Sequence, residues 1–165
     1  MKKQGFTLIE LMVVIVIMGI LAAVAVPKLF GLIAKSKASE VGPAAGTYVK
    51  LQDAYFTEQN TYGGWGKIGY TAAGQGSSTS FKGNTFTYTS AMGWTDETTE
   101  ATTTGAWKAD NTETALNDCP KATSTNGVWK IDLADPVGTT TAYTVTEPSD
   151  ANCAVLTPSF GKIGK

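Results

Sequence analysis

Apolar residues are concentrated at the start of the chain, where residues 6–26 form an almost unbroken hydrophobic run. A bilayer core about 30 Å thick is crossed by roughly 20 apolar helical residues, so the run predicts a membrane-crossing helix. Glu10 lies inside the run, near its N-terminal end. An acid costs about 2.5 to 3.5 kcal/mol at the centre of such a helix, and each large aliphatic residue contributes about −0.3 to −0.6 kcal/mol. The aliphatic residues outweigh one terminal glutamate, so we expect the segment to insert.

Beyond Pro27 the apolar positions follow the period of an amphipathic helix. The apolar face of this helix consists of Leu29, Leu32 and Ile33, and its polar face of Lys28, Lys35 and Lys37. The pair Gly42-Pro43 interrupts the pattern, which predicts either a kink or a second helix with Pro43 in its first turn. A later stripe with about 3.6-residue spacing is expected to pack under a sheet. Its members are Val41, Ala45, Tyr48, Leu51, the neighbouring Gln52 as a polar exception, and Tyr55.

The rest of the chain has the alternation and the turn residues of a β-rich domain. Residues 60–80 are rich in Gly, Ser and Thr and are predicted to form a long loop. Strands are predicted at residues 85–90, 128–133 and 142–146, with a hairpin turn at residues 135–138. In the second strand, one face is expected to carry Trp129, Ile131 and Leu133, and the other Lys130 and Asp132.

These elements predict an α+β fold. A long N-terminal hydrophobic helix, kinked near Pro27 and Gly42-Pro43, is expected to pack on a small antiparallel β-sheet with long loops.

Charge and composition exclude several classes of function. The net charge of −1 and the pI near 5.4 indicate no basic surface for nucleic acid or anionic lipid. The absence of histidine removes the commonest general base and metal ligand. Since the chain also lacks a G-x-S-x-G motif, we predict that the protein is not an enzyme, with no catalytic residue and no cofactor.

The acidic residues are interpreted as solvated loop charge. They cluster as Asp96, Glu97 and Glu100, and as Asp110, Glu113 and Asp118. A calcium site is the alternative, because calcium prefers several oxygen ligands, but the chain lacks the spacing of an EF-hand loop. We therefore predict no resident metal.

The four tryptophans could present stacking surfaces for sugars wherever they are exposed beside polar loops. Trp65, between Gly64 and Gly66, is the best candidate for a surface contact, whereas Trp129 is expected in the core.

Cys119 and Cys153 are the two cysteines of the chain, and both follow the predicted membrane-crossing segment. This placement favours a single disulfide in an oxidising compartment, with two free buried thiols as the alternative. A bridge would close a loop of about 35 residues and stabilise the fold by about 3–4 kcal/mol.

The position of Glu10 relative to Gly5 and Phe6 suggests a role for this acid within the apolar run. An acid inside a membrane segment calls for a partner, and the nearest lysines, Lys2 and Lys3, lie about two helical turns away. The same lysines favour a cytoplasmic N-terminus. A cut between Gly5 and Phe6 would create an α-amino group one turn before Glu10. That amine could pair with Glu10 of the same chain or of a neighbouring copy.

The motif G-F-T-L-I-E-L at residues 5–11, followed by an apolar helix, resembles the class III signal of type IV pilins and of type II secretion pseudopilins. The resemblance is close over residues 2–35. It implies that a prepilin peptidase removes residues 1–5 and methylates the new amine of Phe6. It also implies that Glu10 neutralises this amine during subunit docking. Gly19 and Pro27 match two helix-weakening positions of bacterial pilins, so partial melting is expected between them.

The resemblance divides the chain into four segments. Residues 1–5 would be the leader, 6–27 the transmembrane and filament-core helix, 28–57 an amphipathic periplasmic helix, and 58–165 a β-rich globular domain with a C-terminal disulfide loop.

The alternative to partial melting between Gly19 and Pro27 is that Gly19 and Ala23 form a small-residue seam for helix packing.

The function implied is a structural subunit that polymerises into a type IV pilus for adhesion, motility or DNA uptake. Its partners would be further copies of itself in a helical polymer, the prepilin peptidase, an assembly platform protein and an assembly ATPase. It would span the inner membrane before assembly and lie in an extracellular filament afterwards. A type II secretion pseudopilin and a single-span, membrane-anchored carbohydrate-binding module are the alternatives.

Overall fold

The computed structural model describes residues 5–77, 79–123 and 126–165. The first four residues of the predicted leader, including Lys2 and Lys3, lie outside the described residues.

The first helix, α1 (Leu8–Ala38), is 31 residues long and therefore about 46 Å in length. Its side chains are exposed along almost all of this length, and in α1 only Ala34 and Ala38 are buried. Helical structure continues through Pro27, so the proline does not end the helix in this chain. The region contains a segment with a mean hydropathy of 2.9 that is long and apolar enough to cross a membrane.

The interruption predicted at Gly42-Pro43 occurs slightly earlier, at residues 39–40. The second helix, α2 (Val41–Gln59), begins with Glu40 as its N-cap, which places Pro43 in its first turn. The first backbone bond of α2 joins the Ala44 amide to the Glu40 carbonyl at 3.2 Å. A continuous helix would have needed the N–H that Pro43 lacks, whereas a first-turn proline needs none.

Helix α2 supplies the helical side of the core, with a stripe that differs from the predicted one. Its buried residues are Val41, Ala45, Tyr48, Val49, Gln52 and Phe56. Leu51 and Tyr55, predicted members of the stripe, are only partly buried. Gln52 is tolerated in the core because its amide pairs with Gly63 in both directions, accepting from the Gly63 amide at 3.1 Å and donating to the Gly63 carbonyl at 2.6 Å.

Eight strands follow the helices and form two antiparallel sheets. The strands are β1 (Tyr62–Gly63), β2 (Gln75–Ser77), β3 (Ser80–Lys82), β4 (Thr87–Thr89), β5 (Glu97–Thr98), β6 (Thr102–Asp110), β7 (Val128–Val137) and β8 (Thr140–Thr146). The large sheet has the order β2-β3-β4-β6-β7-β8, and β1 pairs with β5 alone. A short helix, α3 (Ala151–Ala154), and a 3-10 turn (Phe160–Lys162) complete the chain. The architecture confirms the predicted α+β class.

The three predicted strands correspond to β4, β7 and β8, and the predicted inward face of β7 is buried as expected. The hairpin turn lies later than predicted, at residues 138–139, because β7 continues to Val137 and pairs there with Thr140. Gly138 adopts a φ of 64°, which suits a glycine in a two-residue turn. The prediction that residues 60–80 form a loop was incomplete, since β1 and β2 lie there.

Strand β6 was not predicted, although it pairs with both β4 and β7 at the centre of the sheet. Gly105, Ala106, Trp107 and Ala109 of this strand are buried, and the pairing is shifted between Thr102 and Trp107. Gly105 lies in this irregular stretch with a φ of 87°, and its amide donates to the Asp132 carboxylate at 2.7 Å. This strand has small residues and a bulge in place of the alternation of apolar and polar residues by which a strand is identified in a sequence, and for that reason it was not predicted.

Three of the four tryptophans form the aromatic core of the molecule. Trp65, Trp107 and Trp129 are completely buried, so the prediction of a surface contact at Trp65 was wrong. The Trp65 indole N–H donates to the Ala106 carbonyl at 3.1 Å. The glycines beside Trp65 allow residues 93 and 94 to lie close to this part of the backbone. A Cβ at Gly64 would lie 2.0 Å from the Gly93 carbonyl oxygen. The exposed tryptophan is Trp94, at 36%.

Cys119 and Cys153 form a disulfide across 34 residues, with their Cα atoms 4.7 Å apart. Both cysteines are buried. The bond joins α3 to a tight turn in which the Leu116 and Cys119 backbones exchange two hydrogen bonds, at 2.8 and 3.0 Å. The alternative of two free thiols is therefore wrong.

Raising the pH above about 10 is expected to destabilise the fold through Tyr70. Burial raises the pKa of Tyr70 to about 12 from its ordinary value of 10. Below pH 10 the Tyr70 hydroxyl is neutral in both the folded and the unfolded chain. Between pH 10 and 12 it ionises in the unfolded chain only, so the free energy of unfolding falls over this range. The loss reaches about 3 kcal/mol. Burial also raises the pKa of Tyr48, Tyr88 and Tyr143, which act in the same direction.

Urea unfolding of the full chain in detergent micelles, followed by near-UV circular dichroism at pH 8 to 11.5, measures this loss. Tyr70→Phe should show a flatter decline above pH 10, from a lower starting stability, because the Trp107 indole N–H loses its 2.8 Å acceptor. A free energy of unfolding that stays constant up to pH 11.5 would contradict the expectation.

Candidate functional site

The candidate site lies at the N-terminus of α1, where the chain is extended and exposed. Residues 5–7 precede the helix, and the Phe6 side chain is 87% exposed. A Cβ added at Gly5 would meet no atom within 4 Å. The Gly5–Phe6 bond therefore lies outside regular structure, and nothing in the described chain requires a glycine there.

Glu10 and Thr7 form a reciprocal cap at this helix end. Thr7 is the N-cap, and its hydroxyl accepts a hydrogen bond from the Glu10 amide at 3.3 Å. In return, Glu10 Oε2 accepts from the Thr7 amide at 2.8 Å and from the Thr7 hydroxyl at 2.7 Å. This capping box satisfies amides that the first helical turn leaves without partners, and it places a negative charge at the positive end of the helix dipole.

Both hydrogen bonds to the carboxylate use Oε2, so Oε1 has no hydrogen-bond partner among the described residues. The carboxylate is exposed and fixed by Thr7 within one turn of Phe6. It can accept a cation at Oε1 without giving up its capping contacts. The role of Thr7 was not predicted, although the spacing T-x-x-E before an apolar run is the signature of a capping box.

Gly19 and Pro27, the predicted limits of a melting segment, both lie in continuous helix. A Cβ at Gly19 would meet no atom within 4 Å. The Gly19–Pro27 span is thus helical in a single chain, and its predicted melting concerns the assembled state.

The predicted acidic clusters are held by local hydrogen bonds and ion pairs. Glu97 lies 3.3 Å from Lys67 and accepts a hydrogen bond from the Tyr55 hydroxyl, and these contacts lower the pKa of Glu97. Asp96 accepts from the Gly93 amide at 2.7 Å. In the part of the chain that the structure describes, no three His, Cys, Asp or Glu residues are grouped to hold a metal ion.

A family model for the prokaryotic N-terminal methylation motif matches residues 1–26 of the chain. This segment contains Gly5, Phe6, Thr7 and Glu10, the residues of the candidate site. The type IV major pilin protein PilA of Myxococcus xanthus is 43% identical over 61 residues, which cover 37% of this chain. The N-terminal segment of this chain is therefore similar to that of type IV major pilins.

Two further relatives are also named as type IV major pilin or fimbrial proteins. The type IV major pilin protein PilE of Neisseria gonorrhoeae is 43% identical over 81 residues, or 49% of this chain. The type IV major fimbrial protein FimA of Dichelobacter nodosus is 56% identical over 39 residues, or 24% of this chain.

The matched regions span less than half of these pilins: 28% of PilA, 46% of PilE and 25% of FimA. No solved structure matches the chain. The likeness to pilins is thus partial, and the fold of the rest of the molecule is known here from its own structure.

Proposed function

We propose that the protein is a structural subunit that polymerises into a type IV pilus filament on the bacterial surface. The observation that carries the proposal is the carboxylate of Glu10, fixed one turn beyond Phe6 on an otherwise apolar and exposed helix. An acid in such a position calls for a cation, and assembly of apolar helices in the absence of water would make that pairing strong.

Processing would precede assembly. A prepilin peptidase would cut the Gly5–Phe6 bond and methylate the amine of Phe6, the residue that the methylation motif contains. Because a Cβ at Gly5 would meet no atom of the described residues within 4 Å, we attribute this glycine to the needs of the peptidase site and not to the fold.

Assembly would follow by docking of each processed subunit beneath the growing filament. The Phe6 amine of one copy would approach Oε1 of Glu10 in another, while Thr7 keeps hold of Oε2. The exposed apolar face of α1 would supply most of the cohesion, and the ion pair would fix the axial register. Contacts of this head-to-tail kind leave the polymer open-ended. A platform protein and a cytoplasmic ATPase would drive the extraction from the inner membrane.

Gly19 and Pro27 would become important in the polymer. Pro27 removes one backbone hydrogen bond, and Gly19 costs about 1 kcal/mol of helix stability relative to alanine. We propose that the span between them partly unfolds when neighbouring helices replace the bilayer.

Terminal sequencing by mass spectrometry tests the proposal on filaments sheared from producing cells. The expected chain begins with N-methylated Phe6 and is recovered with the sheared filaments. A chain that begins at Met1 and stays in the membrane fraction would contradict the proposal and would favour a membrane-anchored binding module.

A further inference from the structure

Between the apolar run and the globular part of the chain lies a short segment, residues 28–37, which we call the stem. It carries Lys28, Lys35 and Lys37, and none of these lysines forms an ion pair within the described residues. It also exposes four large apolar side chains, at 43 to 66% of their surface. These are Leu29, Phe30, Leu32 and Ile33. The stem is thus both cationic and apolar, with no partner in its own chain for most of its surface.

The net charge of the whole chain, −1, does not reveal the positive charge of the stem. No acid lies between Glu10 and Glu40, whereas residues 40–165 contain thirteen acids and eight lysines. The prediction that no surface attracts anionic lipid rests on the net charge of the entire molecule. The structure separates the two regions, since only Ala34 and Ala38 of α1 are buried against the globular part.

The length of α1 sets the depth of the stem in a membrane. Residues 6–26 span about 30 Å as a helix, which equals the thickness of the hydrocarbon core. The polar headgroup layer extends about 5 to 8 Å further on each side. At 1.5 Å per residue, Leu29 and Phe30 lie about 4 to 6 Å beyond Val26, and Ile33 about 10 Å beyond it. Lys28, Leu29 and Phe30 therefore coincide with the headgroup layer, where lysine side chains extend toward phosphates, and Leu32 and Ile33 lie just beyond its outer edge.

One turn of the globular part lies at the same level as the stem. Ala115, Leu116 and Asn117 face Phe30, Ile33, Ala34 and Lys37 across a small cavity of about 170 Å³. Asn117 is exposed at the tip of this turn with a φ of 54°, and its amide donates to the Asp118 carboxylate at 2.8 Å. The adjacent disulfide of Cys119 fixes the turn to α3. The turn is therefore held beside the stem, next to residues 30–37 of α1.

We propose that the stem and the turn at residues 115–118 form a docking surface for anionic phospholipid headgroups, which holds the globular part against the outer leaflet before assembly. The inference rests on the proposed membrane placement of residues 6–26. Lys28, Leu29 and Phe30 lie at headgroup depth, which fits a phosphate layer. Lys35 and Lys37, about 14 and 17 Å beyond Val26, add positive charge above the layer, and their long side chains can extend back toward it. No stem acid opposes these lysines. Each lysine near an anionic surface strengthens the attraction by about fivefold. Asp118, the acid of the turn, is the feature that opposes contact.

The experiment uses the full chain, one copy per nanodisc, with an environment-sensitive fluorophore attached after the native disulfide has formed. Asn117→Cys carries the label at the tip, and Val137→Cys carries it at the 76% exposed end of the β7–β8 hairpin as the matched control. In nanodiscs that contain phosphatidylglycerol, the label at position 117 should shift to shorter wavelength. Its quenching by iodide should fall about fivefold relative to position 137.

Lys28→Gln combined with Lys35→Gln and Lys37→Gln should abolish that protection, as should phosphatidylcholine alone. Equal quenching at positions 117 and 137 in an inserted chain would overturn the inference and leave the filament proposal intact. Protection that arises only with several copies per nanodisc would overturn it in favour of a second copy. Failure to insert, measured by carbonate extraction, would overturn the membrane placement as well.

Discussion

Replacing Glu10 with leucine is expected to lower the filament yield at least about tenfold while leaving the chain in the membrane. Removal of one member of a buried ion pair costs about 3–5 kcal/mol, well above the 1.4 kcal/mol that corresponds to tenfold. In the filament, the unpaired group would be the Phe6 amine of a neighbouring subunit. Insertion should be unchanged or improved, because leucine is favourable in the bilayer where an acid is not.

Two further variants separate charge from helix capping. Glu10→Gln retains an oxygen that can accept from Thr7, as Oε2 does at 2.8 and 2.7 Å, but it carries no charge. Thr7→Val removes the capping hydroxyl and retains the carboxylate. We expect Glu10→Gln to fail in assembly and Thr7→Val to assemble, with a helix start weakened by about 1 kcal/mol.

Filament yield is measured as the amount of this protein in sheared filaments relative to its total amount, and insertion as the carbonate-resistant membrane fraction. A normal yield from Glu10→Leu would refute the role of Glu10 in register. Normal assembly by Glu10→Gln together with failure of Thr7→Val would show that the cap, and not the charge, is required.

The Trp65→Ala substitution is expected to lower the free energy of unfolding by about 3–5 kcal/mol. The indole is completely buried, with its ring centroid 4.9 Å from that of Tyr70 and 5.9 Å from that of Phe81. Its removal would leave a cavity and would deprive the Ala106 carbonyl of its 3.1 Å donor. The surrounding backbone has little freedom to collapse, because Gly64 and Gly66 already lie against residues 93 and 94.

Urea unfolding of the full chain in micelles measures this effect, with Trp94→Ala as the control. Trp94 is 36% exposed, so its truncation is expected to cost about 1 kcal/mol or less. The same residue type is removed at both sites, which differ in burial and in the hydrogen bond that Trp65 donates to the Ala106 carbonyl. A similar loss for the two variants would contradict the assignment of Trp65 to the core.

The parts of the fold that could be predicted are those in which local pattern and tertiary environment agree. In β7, alternation places Trp129, Ile131 and Leu133 on the buried face, as the structure confirms. At Gly42-Pro43, the missing N–H of proline predicts an interruption, although the break itself falls at residues 39–40.

The prediction failed where long-range contacts decide. Trp65 between glycines has the local composition of an exposed loop, yet the glycines permit a close approach of residues 93 and 94 that buries it. Gln52 is polar, yet its amide is buried because Gly63 supplies both complementary groups. Strand β6 carries alanines and glycine in place of alternating large residues, and its identity depends on its neighbours β4 and β7.

The sequence by itself determined the N-terminal segment: its length, its apolar character, the Gly5–Phe6 junction and the acid at Glu10. These properties depend on residues close together in the chain and on a uniform solvent, the bilayer, so no tertiary contact is needed to read them. Only the tertiary structure decided which tryptophan is exposed, how the disulfide turn faces the stem, and that the stem lysines form no ion pair with an acid among the described residues. These outcomes depend on contacts between residues distant in sequence, which local pattern does not encode.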